Sequence, residues 1–362
     1  MAVVAGLVAH GAAQTGPVWQ MQASGTTAGL RGIDSVDGMV AWASGTDGTV
    51  LRTVNGGAHW TRCATPDADK DGATLDFRGV QAWDAQTAIV MASGPGDKSR
   101  LNKTEDGCRT WKLLAKNEEK DGFWDALKLW TPTDGFLAGD PIEGHPFLSE
   151  FTGYNGIQID NVLYFLHARS GEAAFAASNS SLALGDFDVK DGTSRDVWFA
   201  TGGLQGSRVI RYRHFNGGEP ERVAVKIGDA AMFPRSNSAG IFAIGFRNEL
   251  GIAVGGDYTK PNDSTGTAAW SPDGGLHWTA ASKPPHGYRS AVQWSASLKA
   301  WITVGTNGSD ISRDDGRTWQ TLDDGNWNAL SLPFVVGPNG RIARLNPGAI
   351  APGSVSLPAV KP

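Results

Sequence analysis

Three arginines that could bind an anionic group occupy the same place in a repeated stretch of the sequence. Arg31, Arg78 and Arg289 each follow a large apolar or aromatic residue and precede a glycine or a serine. A guanidinium holds a carboxylate through two parallel hydrogen bonds, so arginines that lie side by side can clamp an acidic group. The pattern therefore predicts a cationic arc, provided that the fold brings equivalent positions together.

Carboxylates and aromatic side chains stand near the corresponding positions of the neighbouring units. The acidic and aromatic members of this set are Asp125, Asp140, Glu172, Asp257, Trp124 and Tyr258. We expect the arginines to clamp an anionic group of a partner, the rings to offer a stacking surface and the carboxylates to set the register of the bound segment. The alternative is that the charges only neutralise one another, because buried charges need partners wherever they occur.

A turn pattern, S/T-x-D-x-G-x-x-W, occurs four times and indicates how these positions are held. A short Asp or Asn side chain bonds to backbone N–H groups of its own turn, the glycine adopts a positive φ, and the Trp leaves the turn on a strand. The residues of the four copies are Thr53, Asn55, Gly57, Trp60, Thr104, Asp106, Trp111, Ser271, Asp273, Gly275, Trp278, Ser312, Asp314, Gly316 and Trp319. We interpret these turns as structural devices, because four equivalent copies are typical of a scaffold and not of a catalytic acid.

The chain upstream of each turn repeats one order of strands, with a period of about fifty residues. Each unit has an apolar strand, a small-residue strand that ends in glycine, and a third strand. The openings of seven such units are Leu30, Phe77, Phe123, Phe175, Ile241, Tyr288 and Trp327. The last unit lacks a fourth strand, and an isolated strand, residues 17–23, precedes the first unit. The sequence therefore predicts an all-β fold, a seven-bladed β-propeller closed by pairing of the two chain ends, which removes exposed sheet edges.

This prediction divides the chain into three parts. Residues 1–16 form an apolar, Ala-rich segment that is similar to the later part of a secretory signal, although it lacks the basic residues of an n-region. Residues 17–345 form the propeller, and residues 346–362 form a Pro-rich tail without periodicity. We expect an exported protein, periplasmic or extracellular, that is a monomer and has no transmembrane segment.

The composition disfavours a nucleic-acid partner and gives no sign of a metal or cofactor. The net charge of −5 and the pI near 5.8 provide no basic stripe for a phosphate backbone. The two cysteines, Cys63 and Cys108, lack the spacing of a zinc site or a redox pair. Cys108 stands where the second turn pattern should have its glycine. We expect both thiols to be unpaired, with a disulfide as the alternative in an exported chain.

Over residues 19–345 the sequence resembles a bacterial group of propellers related to the photosystem II stability and assembly factors. The stretches that carry the resemblance include GTDGTVLRTVNGGAHW, FWDALKLW, GIFAIGFRN, AVGGDY and GYRSAV. The resemblance implies a non-catalytic propeller that docks on another protein. Similar bacterial sequences often bear the label oxidoreductase, but the chain has neither a dinucleotide-binding GxGxxG unit nor the cysteine spacing of a haem or iron–sulfur protein.

The turn pattern alone would suggest a second class of function, a sialidase-type glycoside hydrolase. Such an enzyme needs three arginines around the substrate carboxylate, a Tyr nucleophile with a Glu partner, and an Asp acid/base. The residues that could take these roles are Arg31, Arg78, Arg289, Tyr258, Glu172 and Asp140. No Phe-Arg-Ile-Pro opening precedes the first turn, and the three arginines recur by the logic of the repeat. We therefore favour a binding module over a hydrolase.

Overall fold

Strands make up almost all of the regular structure, as the alternation of apolar and small residues predicts. The structure, a computed structural model, describes residues 16–152, 159–189, 192–215 and 222–350. Within these ranges the helical segments are three short 3-10 turns, Gly72–Thr74, Gly96–Lys98 and Pro347–Ile350. The all-β prediction is confirmed. None of the helical segments in the described ranges has the length and apolar character needed to cross a membrane.

The strands are numbered β1 to β28 in chain order. The N-terminal strand is β1 (Trp19–Gln22). The first four-stranded sheet contains β2 (Leu30–Ser35), β3 (Ala41–Gly45), β4 (Val50–Thr53) and β5 (Thr61–Arg62). The second contains β6 (Phe77–Ala82), β7 (Ala88–Ala92), β8 (Arg100–Thr104) and β9 (Lys112–Lys116). The third sheet has three strands, β10 (Trp124–Thr131), β11 (Asp134–Ile142) and β12 (His145–Thr152).

The middle of the chain forms one larger sheet, and two smaller sheets follow. The nine strands of the larger sheet are β13 (Glu172–Ala173), β14 (Leu182–Val189), β15 (Gly192–Gly203), β16 (Ser207–Phe215), β17 (Arg222–Ala230), β18 (Ala239–Arg247), β19 (Leu250–Asp257), β20 (Ala268–Ser271) and β21 (Thr279–Ala280). The next sheet contains β22 (Ala291–Ser295), β23 (Ala300–Gly305), β24 (Gly308–Ser312) and β25 (Gln320–Asp323). The last contains β26 (Ala329–Ser331), β27 (Phe334–Val336) and β28 (Ile342–Leu345), with β1 as its fourth strand.

The prediction of seven separate blades is therefore wrong. Among the described residues, five sheets have the size and strand order of a propeller blade, whereas the expected fourth and fifth units share the nine-stranded sheet. The long strand β15 joins them, because it pairs with β14 and β16 along its length and its Gly202 pairs with Gly240 of β18. A Cβ atom on Gly202 would lie 2.6 Å from the Cα of Gly240, so this close approach requires glycine.

The two chain ends pair as the sequence predicts. Strand β1 runs antiparallel to β28, with Trp19 opposite Leu345 and Gln22 opposite Ile342. The Trp19 side chain is buried in the core of this sheet, and its Nε1 donates a hydrogen bond to Ser309 Oγ of β24 at 2.9 Å. The N-terminal strand thus covers the edge that β28 would otherwise expose.

The repeated turns have the hydrogen bonds that the pattern predicts. In the second copy, the backbone N–H groups of Arg109 and Thr110 donate to Asp106 Oδ1, each at 3.0 Å, and the Cys108 N–H donates to Thr104 Oγ1. The hydroxyl and the N–H of Thr110 are the main cause that lowers the pKa of the Asp106 carboxyl to about 2. This carboxylate therefore stays ionised and bound to its own turn.

The two cysteines form a disulfide, against the expectation of two free thiols. Cys63 follows β5 of the first sheet, and Cys108 lies in the turn between β8 and β9 of the second. The two segments are adjacent because the Ala64 N–H donates to the Cys108 carbonyl, and Trp111 Nε1 donates to the Ala64 carbonyl at 2.8 Å. The sequence could not show this pairing, since it depends on how one sheet packs against the next.

Removal of the disulfide is expected to lower the free energy of unfolding by about 2–4 kcal/mol, because the bond closes a long loop in the unfolded chain. The cysteines are 45 residues apart in sequence. Urea unfolding of Cys63→Ala/Cys108→Ala, compared with the oxidised protein, measures this loss. An unchanged midpoint after removal or reduction of the bond would contradict the expectation.

The backbone at Cys108 provides a matched comparison. Its φ of 67° lies in the region that favours glycine, and the equivalent turn positions elsewhere are Gly57, Gly275 and Gly316. The variant Cys63→Ala/Cys108→Gly should therefore be about 1 kcal/mol more stable than Cys63→Ala/Cys108→Ala.

Candidate functional site

A cavity of about 550 Å³ opens where the first strands of the units begin. Five of the predicted binding residues line it: Arg31, Arg78, Asp125, Asp140 and Tyr258. The other lining residues are Phe123, Ala173, Ala174, Phe175, Ala176, Ala177, Asn237, Phe242, Tyr288, Ser290, Thr306 and Asn328. We call this the channel-mouth cavity.

β-Bulges turn four side chains into the channel-mouth cavity. The strand register skips one residue near the start of β2, β6, β10 and β18. The skipped residues are Arg31, Arg78, Asp125 and Phe242. A bulge leaves one residue outside the ladder and re-aims its side chain. The same local irregularity, repeated from unit to unit, therefore supplies both arginines and the buried carboxyl of the cavity.

Arg31 differs from the other charges of the cavity in having no direct partner among the described residues. Its side chain is partly buried, and neither a hydrogen bond nor an ion pair of its guanidinium is found among the described residues. Burial lowers the pKa of Arg31, while the neighbouring Asp76 acts in the opposite direction. A charge that has lost part of its hydration without gaining a direct ion pair or hydrogen bond is a natural binding point for an anion.

Arg78 is already neutralised within the protein. Its Nε lies 2.8 Å from Asp76 Oδ2, and its Nη1 donates to the Ala176 carbonyl at 3.3 Å. Its guanidinium also lies over the ring of Phe123, 5.9 Å from the ring centre. Arg78 therefore has fewer donors free for a ligand than Arg31 has.

Two carboxyl groups lie on another part of the cavity wall. Asp125 is 2 % exposed, and Asp140 Oδ1 accepts the N–H of Ala174 at 3.0 Å. Burial raises the pKa of Asp125 well above its ordinary value, and the nearby Asp140 raises it further, against the opposing charge of Arg78. Burial also raises the pKa of Asp140. This pair therefore holds protons at a pH where ordinary carboxyls are ionised.

Aromatic rings form an apolar wall between these charges. Phe175 and Phe242 stack with their centres 4.0 Å apart, and Tyr288 meets Phe242 edge-on at 4.8 Å. Tyr258 completes the group at the rim, where it is 53 % exposed. Burial raises the pKa of Tyr288, so its hydroxyl stays neutral. Such a wall suits an apolar or aromatic side chain of a ligand.

Trp124 does not line the cavity, contrary to the predicted stacking role. Successive residues of a strand point to opposite faces, and Asp125 takes the cavity side. Trp124 packs instead between the second and third sheets, with Leu127 and Phe147. The two residues were assigned to one surface from their position in the repeat, but only one of them can face it.

Glu172 and Asp257 are also outside the set of residues that line the cavity, because each is satisfied elsewhere. Glu172 Oε1 lies 2.7 Å from Arg208 Nε and accepts a hydrogen bond from Thr201 Oγ1. Asp257 Oδ1 accepts hydrogen bonds from the hydroxyls of Ser238 and Thr259. Both carboxylates hold loops beside the channel-mouth cavity.

Arg289 is fully buried and does not join Arg31 and Arg78. It precedes β22, whose described register with β23 contains no bulge that would turn this side chain inward. Its Nε donates to Asp310 Oδ2 at 2.7 Å, and His286 Nδ1 lies 2.9 Å from Asp310 Oδ1. Burial opposes ionisation of Asp310, but these partners outweigh it and lower the pKa of this carboxyl. The predicted three-arginine arc therefore has two members at the cavity.

The set of residues considered for a sialidase is likewise brought together only in part. Arg31, Arg78, Asp140 and Tyr258 line the channel-mouth cavity. Arg289 and Glu172 do not, so neither the third arginine nor a Tyr–Glu pair is assembled at this site. In the described part of the chain, no group of three His, Cys, Asp or Glu side chains is placed to hold a metal ion.

Sequence reasoning missed Asp76 and the aromatic wall as parts of the site. Phe175 and Tyr288 open their units, and this position was interpreted only as the start of a strand. For the two arginines and Asp125 a signal was present, because a charged residue followed by Gly or Ala interrupts an apolar strand. Phe242 has no such signal, since an aromatic residue inside an apolar strand is typical of a core.

The opposite ends of the same first strands surround a second cavity, of about 530 Å³. Asp34 and Lys128 are its charged residues, beside Gln81 and Gln293. Burial lowers the pKa of Lys128, against the opposing charge of Asp34. No repeated pattern in the sequence marks these residues.

The fold is shared with known propellers, although no model of a protein family and no curated protein matches the chain. One solved structure, YCF48 from Cyanidioschyzon merolae, has a TM-score of 0.59 and 16 % identity over 91 % of this chain and 99 % of its own. Another, YCF48 bound to D1 peptide, has a TM-score of 0.54 and 14 % identity over 91 % of this chain and 96 % of its own. The resemblance to photosystem II assembly-factor propellers is thereby confirmed for the fold.

Proposed function

We propose that this protein is a non-catalytic binding module whose channel-mouth cavity receives a segment of a partner protein. The observation that carries the proposal is the free guanidinium of Arg31, partly buried in a cavity with an aromatic wall. Because this cation forms no direct ion pair with a described residue, and the nearby Asp76 is paired with Arg78, an anionic group of the partner would supply the missing contact. The rings of Phe175, Phe242 and Tyr288 would cover an adjacent apolar side chain.

The comparison with solved propellers supports the class of ligand. One structure that shares the fold is described as bound to a D1 peptide. At 14 % identity the particular partner is not transferable, but a propeller of this shape can hold a peptide. The cavity volume of about 550 Å³ fits a few side chains of an extended segment and is much too small for a folded domain.

The roles of the lining residues follow from their contacts. Arg31 would bind the anionic group, and Arg78, held by Asp76, would keep the neighbouring wall in place. Tyr258 at the rim would stack on the incoming segment. Arg289, Glu172 and Asp257 would act indirectly, by holding the loops around the mouth, and Trp124 by packing the sheet behind it.

We also propose that the protein works in an oxidising compartment outside the cytoplasm. The Cys63–Cys108 disulfide supports this location, because such bonds persist chiefly in exported proteins. Mass spectrometry of the protein purified from its source with free thiols alkylated during lysis tests the proposal. Full alkylation of both cysteines would contradict it.

A site-specific photo-crosslink tests the binding site. With benzoylphenylalanine in place of Tyr258, we expect a cross-link to one peptide of a partner, and we expect Arg31→Gln to reduce its yield at least about tenfold, which corresponds to about 1.4 kcal/mol of binding energy. The same label at Tyr164, an exposed residue outside the cavity lining, and the surface variant Arg109→Gln are the controls. Equal cross-linking by Arg31→Gln, if this variant is folded, would contradict the proposed site.

Turnover of a fluorogenic sialoside or glycoside panel would favour the hydrolase instead. Such turnover would need to be abolished by Arg31→Gln to assign it to this cavity.

A further inference from the structure

We infer that the channel-mouth cavity selects a bipolar segment, in which an acidic group binds Arg31 while a lysine or arginine side chain binds the Asp125–Asp140 pair. This inference rests on the proposed function, because it specifies the chemistry of the segment that the same cavity receives. The inference adds a requirement for a cationic side chain in the bound segment, which an arginine clamp alone would not need.

The charges of the cavity are arranged as two separate poles. Arg31 is influenced by Asp76, Arg78 and Tyr288. Asp125 is influenced by Asp140 and Arg78. Arg31, Arg78 and Asp125 occupy equivalent bulges of β2, β6 and β10, and β6 packs against both β2 and β10, so Arg78 lies between Arg31 and the two carboxyls. A ligand that meets both poles must therefore extend across the cavity.

Arg78 does not form an ion pair with Asp125 or Asp140, the two residues that we call the carboxyl pole. Its Nε is committed to Asp76 and its Nη1 to the Ala176 carbonyl. Neither Asp125 nor Asp140 has a Lys, Arg or His nitrogen within ion-pair distance among the described residues. The protein places the buried Asp125 beside the partly buried Asp140, and the described residues form no ion pair with either carboxyl.

The two carboxyls are only partly satisfied by hydrogen bonds, although the backbone N–H groups of Ala176 and Asp140 act on Asp125. Asp125 Oδ2 is buried without a partner, and Asp140 receives one backbone N–H, from Ala174, at its Oδ1. A buried carboxyl that is left unsatisfied costs free energy, which an incoming ammonium or guanidinium would offset by donating hydrogen bonds. The stacked rings of Phe175 and Phe242 lie in the same cavity and suit the alkyl stem of such a side chain.

A cation at this pole has a measurable consequence for protons. Burial raises the pKa values of both carboxyls in the free protein, and the nearby Asp140 raises the pKa of Asp125 further. A bound ammonium would lower these pKa values again, since an opposite charge favours the ionised form. Protons held by the pair would therefore pass to the buffer on binding, whereas a ligand with only an acidic group would release none from it.

Synthetic peptides of about ten residues, built from Gly, Ser and Leu, provide the probe. One set carries a Glu and a Lys separated by one to six residues; the other sets replace the Lys by norleucine or the Glu by Gln. We expect the best Glu–Lys peptide to bind at least about tenfold more tightly than its norleucine counterpart, which corresponds to about 1.4 kcal/mol. Calorimetry in two buffers of different ionisation enthalpy should show proton release for the Glu–Lys peptide.

Two variants separate the poles. Asp140→Asn should abolish the difference in affinity between the Lys and norleucine peptides and most of the proton release. It should leave the difference between the Glu and Gln peptides unchanged. Arg31→Gln should do the reverse. Asp140→Asn preserves the shape of the side chain, and Arg31→Gln keeps a shorter polar side chain without the charge. Asp125→Asn provides a second test of the carboxyl pole if Asp140→Asn fails to fold.

The outcomes distinguish this inference from the proposed function. If Glu–Lys and Glu–norleucine peptides bind equally and Arg31→Gln weakens both, the cavity is an anion clamp and the bipolar inference is wrong. If no peptide of any set binds, or if Arg31→Gln leaves all affinities unchanged, the proposed function itself is contradicted.

Discussion

Replacement of Trp319 by alanine is expected to lower the free energy of unfolding by about 3–5 kcal/mol. This indole is 1 % exposed and packs against Val292 and Trp301 in the core of its sheet. Its Nε1 donates a hydrogen bond to the Gly316 carbonyl within its own turn, at 3.2 Å. Truncation removes a large apolar surface and leaves that carbonyl without its donor.

Trp111 is the matched control for this prediction, because it occupies the equivalent place in the second turn pattern but is only partly buried. Trp111→Ala should cost clearly less than Trp319→Ala in chemical denaturation. A loss below about 1 kcal/mol for Trp319→Ala would mean that the tryptophans of the turn pattern do not support the core, since large buried side chains normally contribute several times more.

Deletion of residues 1–23 is expected to destabilise the whole ring and to promote association between molecules. The deletion removes β1, so β28 loses its antiparallel neighbour and exposes a row of backbone donors and acceptors. It also removes the Trp19 side chain from a core that includes Trp327, whose ring centre lies 6.0 Å away. We expect a loss of at least several kcal/mol, in the range found for removal of a buried Trp.

Thermal unfolding and gel filtration measure these two effects. Met21→Ala is the control, because Met21 lies on the same strand with its side chain exposed. A truncated protein that remains monomeric and keeps the melting temperature of the full chain would show that β1 does not close the ring.

The sequence predicted some of the residues that line the channel-mouth cavity, but it also predicted Arg289, which lies outside it. Arg31, Arg78 and Asp125 were predicted from their places at the openings of the repeated units, and the bulge at each of these places is a local feature. Arg289 likewise stands between a large residue and a small one, yet it turns toward Asp310. An arginine at this place either faces the cavity or pairs with a carboxylate of an adjacent strand, as Arg289 does. A repeat pattern does not show whether such a carboxylate is present.

The sequence by itself determined the strand content, the turn chemistry and the pairing of the chain ends. These features depend on contacts within a few residues, such as Thr104 to Cys108, or on the count of strands in each unit. Tertiary structure alone decided the Cys63–Cys108 bond, the union of two units through Gly202 and Gly240, and the burial of Arg289. Each of these depends on the close approach of residues that are distant in the chain, which local propensity and periodicity cannot specify.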